Sequence, residues 1–147
     1  MKLRYYQDDL IKKINSNNIT ICEWPTAYGL DSTLDYYMDL NSELKFGFMG
    51  YLAVLECNYP NNQPTYIKFD MIYGVELDFL IIDYRNMFRR ALKDVIAYCI
   101  SQSIKIIIKK NHYDLIESLN DYNYVYSDAS ITKEIDRREK IKRLIKT

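Results

Sequence analysis

The sequence predicts an α/β (α+β) fold, a single-domain mixed β-sheet flanked by helices on both faces, and three observations predict it. The stretch Glu76 to Arg85 is a mostly apolar strand running into a sharp turn, and Asn86 to Ile100 continues it with helical spacing. Ile104 to Lys109 is a second apolar run of strand length, which completes a strand, helix, strand unit. The rest of the chain alternates between the two periodicities without a repeat or a low-complexity linker.

Tyr6, Leu10, Ile11 and Ile14 fall on one helical face, and Asn15-Ser16-Asn17-Asn18 is a polar stop, so a first helix covers roughly residues 4–16. A strand follows from Ile19 to Trp24, broken by Pro25, and Ala27-Tyr28-Gly29 reads as loop. Asp31 and Ser32 are N-cap candidates for a second helix to about Asn41, with Leu34, Tyr37 and Met38 as its buried stripe. Leu44 to Cys57 is apolar and β-prone around Gly47 and Gly50, which predicts one bulged strand or two short ones. The loop Asn58 to Pro64 leads into Tyr66 to Ile72, whose alternation predicts a half-buried antiparallel strand. In the central helix Phe88, Leu92, Val95, Ile96 and Cys99 form the apolar face. Leu115, Ile116 and Leu119 mark a helix over about 112–121, and Tyr124-Val125-Tyr126 a short strand. The charged segment 131–147, a C-terminal extension, begins as a strand candidate and ends as a basic helix.

With 147 residues, 48% of them hydrophobic, the chain is long enough for one core and is read as one domain, residues 1–147. Twenty basic residues balance twenty acidic ones, so no global field steers it onto nucleic acid or an anionic membrane. Cys22, Cys57 and Cys99 have no paired spacing and lie in or beside apolar runs, which points to a reducing compartment and no metal site. His112 is the single histidine, so zinc chemistry of the usual kind or a Ser-His-Asp triad would depend on it alone; a solvated or capping role is the expectation. The N-terminus has no apolar signal core, and no run of 18 apolar residues occurs. The expectation is a soluble protein of the cytoplasm, not secreted by a standard signal and without a membrane partner. Fifteen tyrosines, with Asn, Ile, Lys and Asp abundant and Ala, Gly and Pro scarce, fit an AT-rich coding sequence such as those of phages, large DNA viruses and low-GC bacteria. Tyrosine also favours protein interfaces.

The element order, and the wording of residues 75–126, resembles the GNAT superfamily of N-acetyltransferases, convincingly over about a third of the chain. The resemblance implies a GNAT-like fold and acetyl-CoA as cofactor if the protein is catalytic. It places the acyl-binding strand end and turn at Ile82-Asp83-Tyr84-Arg85, and the pyrophosphate loop on Arg85, Phe88, Arg89 and Arg90. Asn111 stands where that family often has an asparagine after its fifth strand. Glu76 and Asp78 share a strand face and are the candidates for the catalytic base. The chain departs from the pattern in two ways. Both loop glycines are replaced by large residues, which fill the space that pyrophosphate needs, and Leu119 replaces the tyrosine that serves as general acid.

Those departures predict a degenerate relative that has lost catalysis and cofactor, and that acts as a structural or interaction component, for example of a phage or viral particle in the host cytoplasm or virion. Protein partners, through self-assembly or a larger complex, follow from that reading. The alternatives are an acetyl-CoA-dependent N-acyltransferase using a strand carboxylate as base, and a small inhibitor or adaptor of a host protein or nucleic acid. Nucleic acid would bind through Lys133 to Lys146, which holds seven basic and three acidic residues. A basic last turn is also what any helix favours at its C-terminus.

Overall fold

A computed structural model describes residues 2–50, 52–83, 89–109, 119 and 121–146. Its centre is a six-stranded sheet formed by β1 (Ile19–Cys22), β2 (Phe46–Met49), β3 (Thr65–Tyr66), β4 (Phe79–Asp83), β5 (Lys105–Lys109) and β6 (Val125–Ser127), in the spatial order β3-β2-β4-β5-β1-β6. Among the described residues five α-helices accompany it: α1 (Tyr5–Ser16), α2 (Leu30–Leu40), α3 (Leu52–Asn58), α4 (Arg89–Ser101) and α5 (Ala129–Lys146). The α/β class therefore holds. The sheet, however, is parallel at every described pairing and not mixed.

The physical reason lies in burial. A parallel sheet needs both faces covered, so its strands carry apolar side chains on both. Every residue of β1, β2 and β4 is buried. On one face Ile19, Ile21, Met49, Leu80, Ile82, Ile106 and Ile108 pack with Leu92, Val95, Ile96 and Cys99 of α4. On the other, Cys22, Phe46, Phe48, Phe79, Ile81 and Ile107 pack with α1, α2 and α3 through Leu10, Ile14, Leu34, Tyr37 and Leu55. Phe46 and Phe79 stack across the β2–β4 ladder, ring centroids 4.8 Å apart, with Tyr37 edge-on to both. Gly47 leaves room here for the ends of the Ile67 and Leu77 side chains, whose Cδ1 atoms lie 2.7 Å from where a Cβ would stand.

Several local expectations change. The β-prone run 44–57 divides into β2 and the helix α3, because Leu55 turns inward onto the α2 face of the sheet. The alternating segment 66–72 is not an antiparallel strand; only Thr65–Tyr66 pairs, parallel to β2, and Phe69–Met71 forms a 3-10 turn. Ile67 and Ile72 anchor that segment in the core while Phe69 and Met71 stay exposed. Residues 131–146 contain no strand, because α5 begins at Ala129, with Asp128 Oδ1 accepting from the Ser130 and Ile131 amides at 2.9 and 3.3 Å. The helix expected over 112–121 falls largely outside the described residues.

Candidate functional site

All six strands run the same way, so their carboxyl ends line one edge of the sheet, the edge where open α/β sheets take ligands. The path leaving β1 crosses to β2 through α2 on one face. The path leaving the neighbouring strand β5 toward β6 carries Leu119 and Tyr122 onto the opposite face. Connections that part in this way mark where open α/β sheets place a ligand crevice, and here that position falls between β1 and β5.

Strand periodicity decides which side chains enter it. Cys22, Asp83 and Lys109 are the last residues of β1, β4 and β5, and each has the parity of the α2-facing set. Asp83 and Lys109 are register partners, and both are buried. Gly50, just past β2, makes room beside them: a Cβ there would lie 2.8 Å from the Asp83 Cβ and 3.2 Å from the Phe48 ring.

The fourth wall is the β1–α2 connection. Thr26–Tyr28 makes a 3-10 turn, Gly29 adopts a left-handed conformation with φ of 78°, and α2 starts at Leu30. The N-cap is thus Gly29, not Asp31 or Ser32, and Thr33 closes the turn by donating its amide (3.0 Å) and hydroxyl (2.8 Å) to the Gly29 carbonyl. Asp31, one residue into the helix, is released from capping and points at Lys109, with Oδ1 2.6 Å from Nζ. Asn58 Nδ2 and the Tyr59 hydroxyl donate to the same carboxylate at 2.8 and 3.0 Å, and the Lys109 ammonium stands 5.8 Å from the Tyr59 ring centroid. Burial, then the negative charges of Asp31 and Asp83, push the Tyr59 phenol far up. Burial also pushes the Cys22 thiol up to about 12, against the opposing pull of Lys109. Cys22 is therefore a protonated, apolar filler at neutral pH.

Trp24 closes the far side. Its indole Nε1 donates to Ser127 Oγ at 2.9 Å, and its ring meets Tyr6 edge-on at 5.4 Å. The Glu23 amide donates to the Ser127 carbonyl at 2.8 Å, which ties the loop to β6.

Of the residues singled out in the sequence, Ile82 and Asp83 lie at this edge. Glu76 and Asp78 lie at the opposite, amino edge, ahead of β4 and not within it. Glu76 pairs with Lys45 at 3.5 Å with its side chain 90% exposed, and Asp78 Oδ2 accepts from the Lys45 amide at 2.8 Å. The four-residue separation of Asp78 from Ile82 along an extended strand is about 13 Å, so these carboxylates do not share a site with the carboxyl edge. Arg89 and Arg90 open α4. Their side chains, and Arg85, Phe88, Asn111 and His112, lie outside the described residues.

The sequence reading missed Asp31, Tyr59 and Lys109 as one cluster, because no local pattern joins them. A usable signal was present in the spacing from Trp24 to Gly29-Leu30-Asp31 between an apolar strand and a helix. Among the described residues, no group of three or more His, Cys, Asp and Glu side chains could hold a metal ion, and no helix is long and apolar enough to cross a membrane. The sequence matches no protein-family model and no curated protein.

Proposed function

We propose that this chain is a non-catalytic domain built on a phosphate-loop scaffold, in which the crevice for a nucleotide is filled by the protein's own side chains, and that it serves as a structural or interaction component of a larger assembly. The observation that carries this reading is the Lys109–Asp31 ion pair at 2.6 Å, with its lysine buried. A phosphate loop has the form strand, G-x-x-x-x-G-K-[S/T], helix: its glycines admit the phosphates, its lysine binds them, its hydroxyl holds magnesium, and an aspartate at the end of a nearby strand assists. This chain keeps the strand, the left-handed Gly29, the helix start and, in Asp83, the strand-end aspartate. It has Trp24 in place of the first glycine, Leu30 in place of the lysine and Asp31 in place of the hydroxyl.

Each replacement acts against phosphate. Trp24 brings a side chain, turned onto Ser127 and Tyr6, where the motif has none, Leu30 supplies no charge, and the Asp31 carboxylate repels an anion at the helix N-terminus that would otherwise attract one. The single buried cation at this edge, among the described residues, is Lys109, and Asp31 already holds it.

The acyltransferase alternative has less behind it. It calls for a mixed sheet, whereas the described pairings are parallel, and its candidate bases Glu76 and Asp78 lie at the other edge from Ile82. Calorimetric titration with magnesium ATP and, separately, with acetyl-CoA tests the proposal. No saturable heat is expected at millimolar ligand. Micromolar binding of ATP would refute the filled crevice, and micromolar binding of acetyl-CoA would restore the acyltransferase reading.

A further inference from the structure

Beside the crevice, but separate from it, the extended N-terminal residues Lys2 to Arg4 and the start of α1 run along one face of α5. Between them is a groove of about 510 Å³ lined by Lys2, Arg4, Tyr5, Lys133, Asp136 and Lys140 among others. α1 precedes β1, so its N-terminal end stands at the carboxyl edge, and α5 leaves that edge after β6. In a chain of zero net charge, four cations and one anion face this groove. Asp136 is 3.1 Å from Lys140, which leaves Lys2, Arg4 and Lys133 as uncompensated charge. The neighbouring acids are engaged elsewhere: Asp8 with Lys12 at 3.1 Å, Asp9 with Lys13 at 2.9 Å, and Asp128 as the cap of α5.

The groove also presents aromatic surface. Tyr5 is 55% exposed on its wall. Behind it Tyr6, Tyr28 and Trp24 form a ring cluster, with centroids 5.3 to 5.4 Å apart about Tyr6, and the Lys133 ammonium sits 5.3 Å from the Tyr28 centroid. A cationic groove with an exposed aromatic ring on its wall is what a single strand of nucleic acid requires, since phosphates follow the charge and bases stack on the ring without regard to sequence.

We propose that this groove binds single-stranded nucleic acid, with phosphates on Lys2, Arg4 and Lys133 and a base on Tyr5. The assignment is independent of whether the crevice takes a nucleotide. Fluorescence anisotropy with labelled 20-mers of oligo-dT and oligo-U tests it and separates DNA from RNA. Binding at roughly 10 µM in low salt is expected, and three released cations give a slope of log K against log salt of about −2. In Lys2→Gln/Lys133→Gln, two exposed positions at which folding is safe, the slope falls to about −0.7. Tyr5→Ala weakens binding ~5-fold or more. A variant with the same charge change at the amino edge, Lys45→Gln/Lys105→Gln, binds as the parent protein does. Any one of three results overturns the proposal: no saturation below millimolar protein at low salt, equal losses in the two double variants, or equally tight binding of labelled poly-glutamate.

Discussion

Replacing Lys109 with methionine removes the buried ammonium that pairs with Asp31 while keeping the length of the side chain. Lys109 is 7% exposed and the Asp31 side chain 25%, so the pair is shielded from solvent on the lysine side and only partly on the aspartate side. Breaking a buried pair by deleting one partner costs about 3–5 kcal/mol, because a charge is left without compensation. Here the deletion leaves the Asp31 carboxylate without its cation, but a quarter exposed and still held by Asn58 and Tyr59, so the lower part of that range, about 3–4 kcal/mol, applies. Asp31→Ala is milder, about 2–3 kcal/mol, because Lys109 keeps its register neighbour Asp83 even though Asn58 and Tyr59 lose their acceptor. At ~2–4 °C per kcal/mol for a domain of this size, Lys109→Met lowers Tm by roughly 6–16 °C and Asp31→Ala by roughly 4–12 °C. Urea unfolding followed by circular dichroism measures both, and the double variant Asp31→Leu/Lys109→Met recovers part of the loss. A cost below about 1 kcal/mol for Lys109→Met, or Asp31→Ala proving the more damaging, would refute the view that this pair fills and holds the crevice.

Two further outcomes follow from the geometry. Gly50→Ala sets a methyl 2.8 Å from the Asp83 Cβ and forces β2 from β4, at a cost of about 1–3 kcal/mol by urea unfolding; a neutral result would mean that the β2 end yields freely. Burial pushes the thiols of Cys22 and Cys99 up to about 12 from 9.0, so the folded state keeps protons that the unfolded chain releases. Their contribution is complete below pH 9 and declines as pH rises toward 12, by up to about 1.4 kcal/mol per unit for each thiol, and in native protein at pH 8 a thiol reagent leaves both unmodified. Rapid labelling of all three cysteines would contradict this burial.

The sequence by itself determined where most elements lie. The i, i+4, i+5 and i+8 spacing of Tyr6, Leu10, Ile11 and Ile14 specifies α1, and the apolar runs of β4 and β5, the second interrupted by Lys105, specify strands buried on both faces for most of their length. Both signals are local, so they survive without knowledge of partners. Leu52 to Asn58 was not legible, because Leu, Ala, Val and Cys serve a helix or a strand equally well and only the packing of Leu55 against the sheet selects between them. Pairing direction was not legible either: Tyr66 to Ile72 alternates as an antiparallel strand would, yet a lone edge position beside β2 decides how much of it pairs. The candidate site is the most distant from local pattern. Asp31, Tyr59, Asp83 and Lys109 belong to four separate segments, and each alone reads as a cap, a loop aromatic or a strand end. Parallel strand order brings their ends to one edge, the two-residue period of the strands turns Asp83 and Lys109 to the same face, and the left-handed turn at Gly29 aims α2 at them. The Lys109–Asp31 ion pair is therefore a property of the tertiary structure, because it exists only where those separate ends meet.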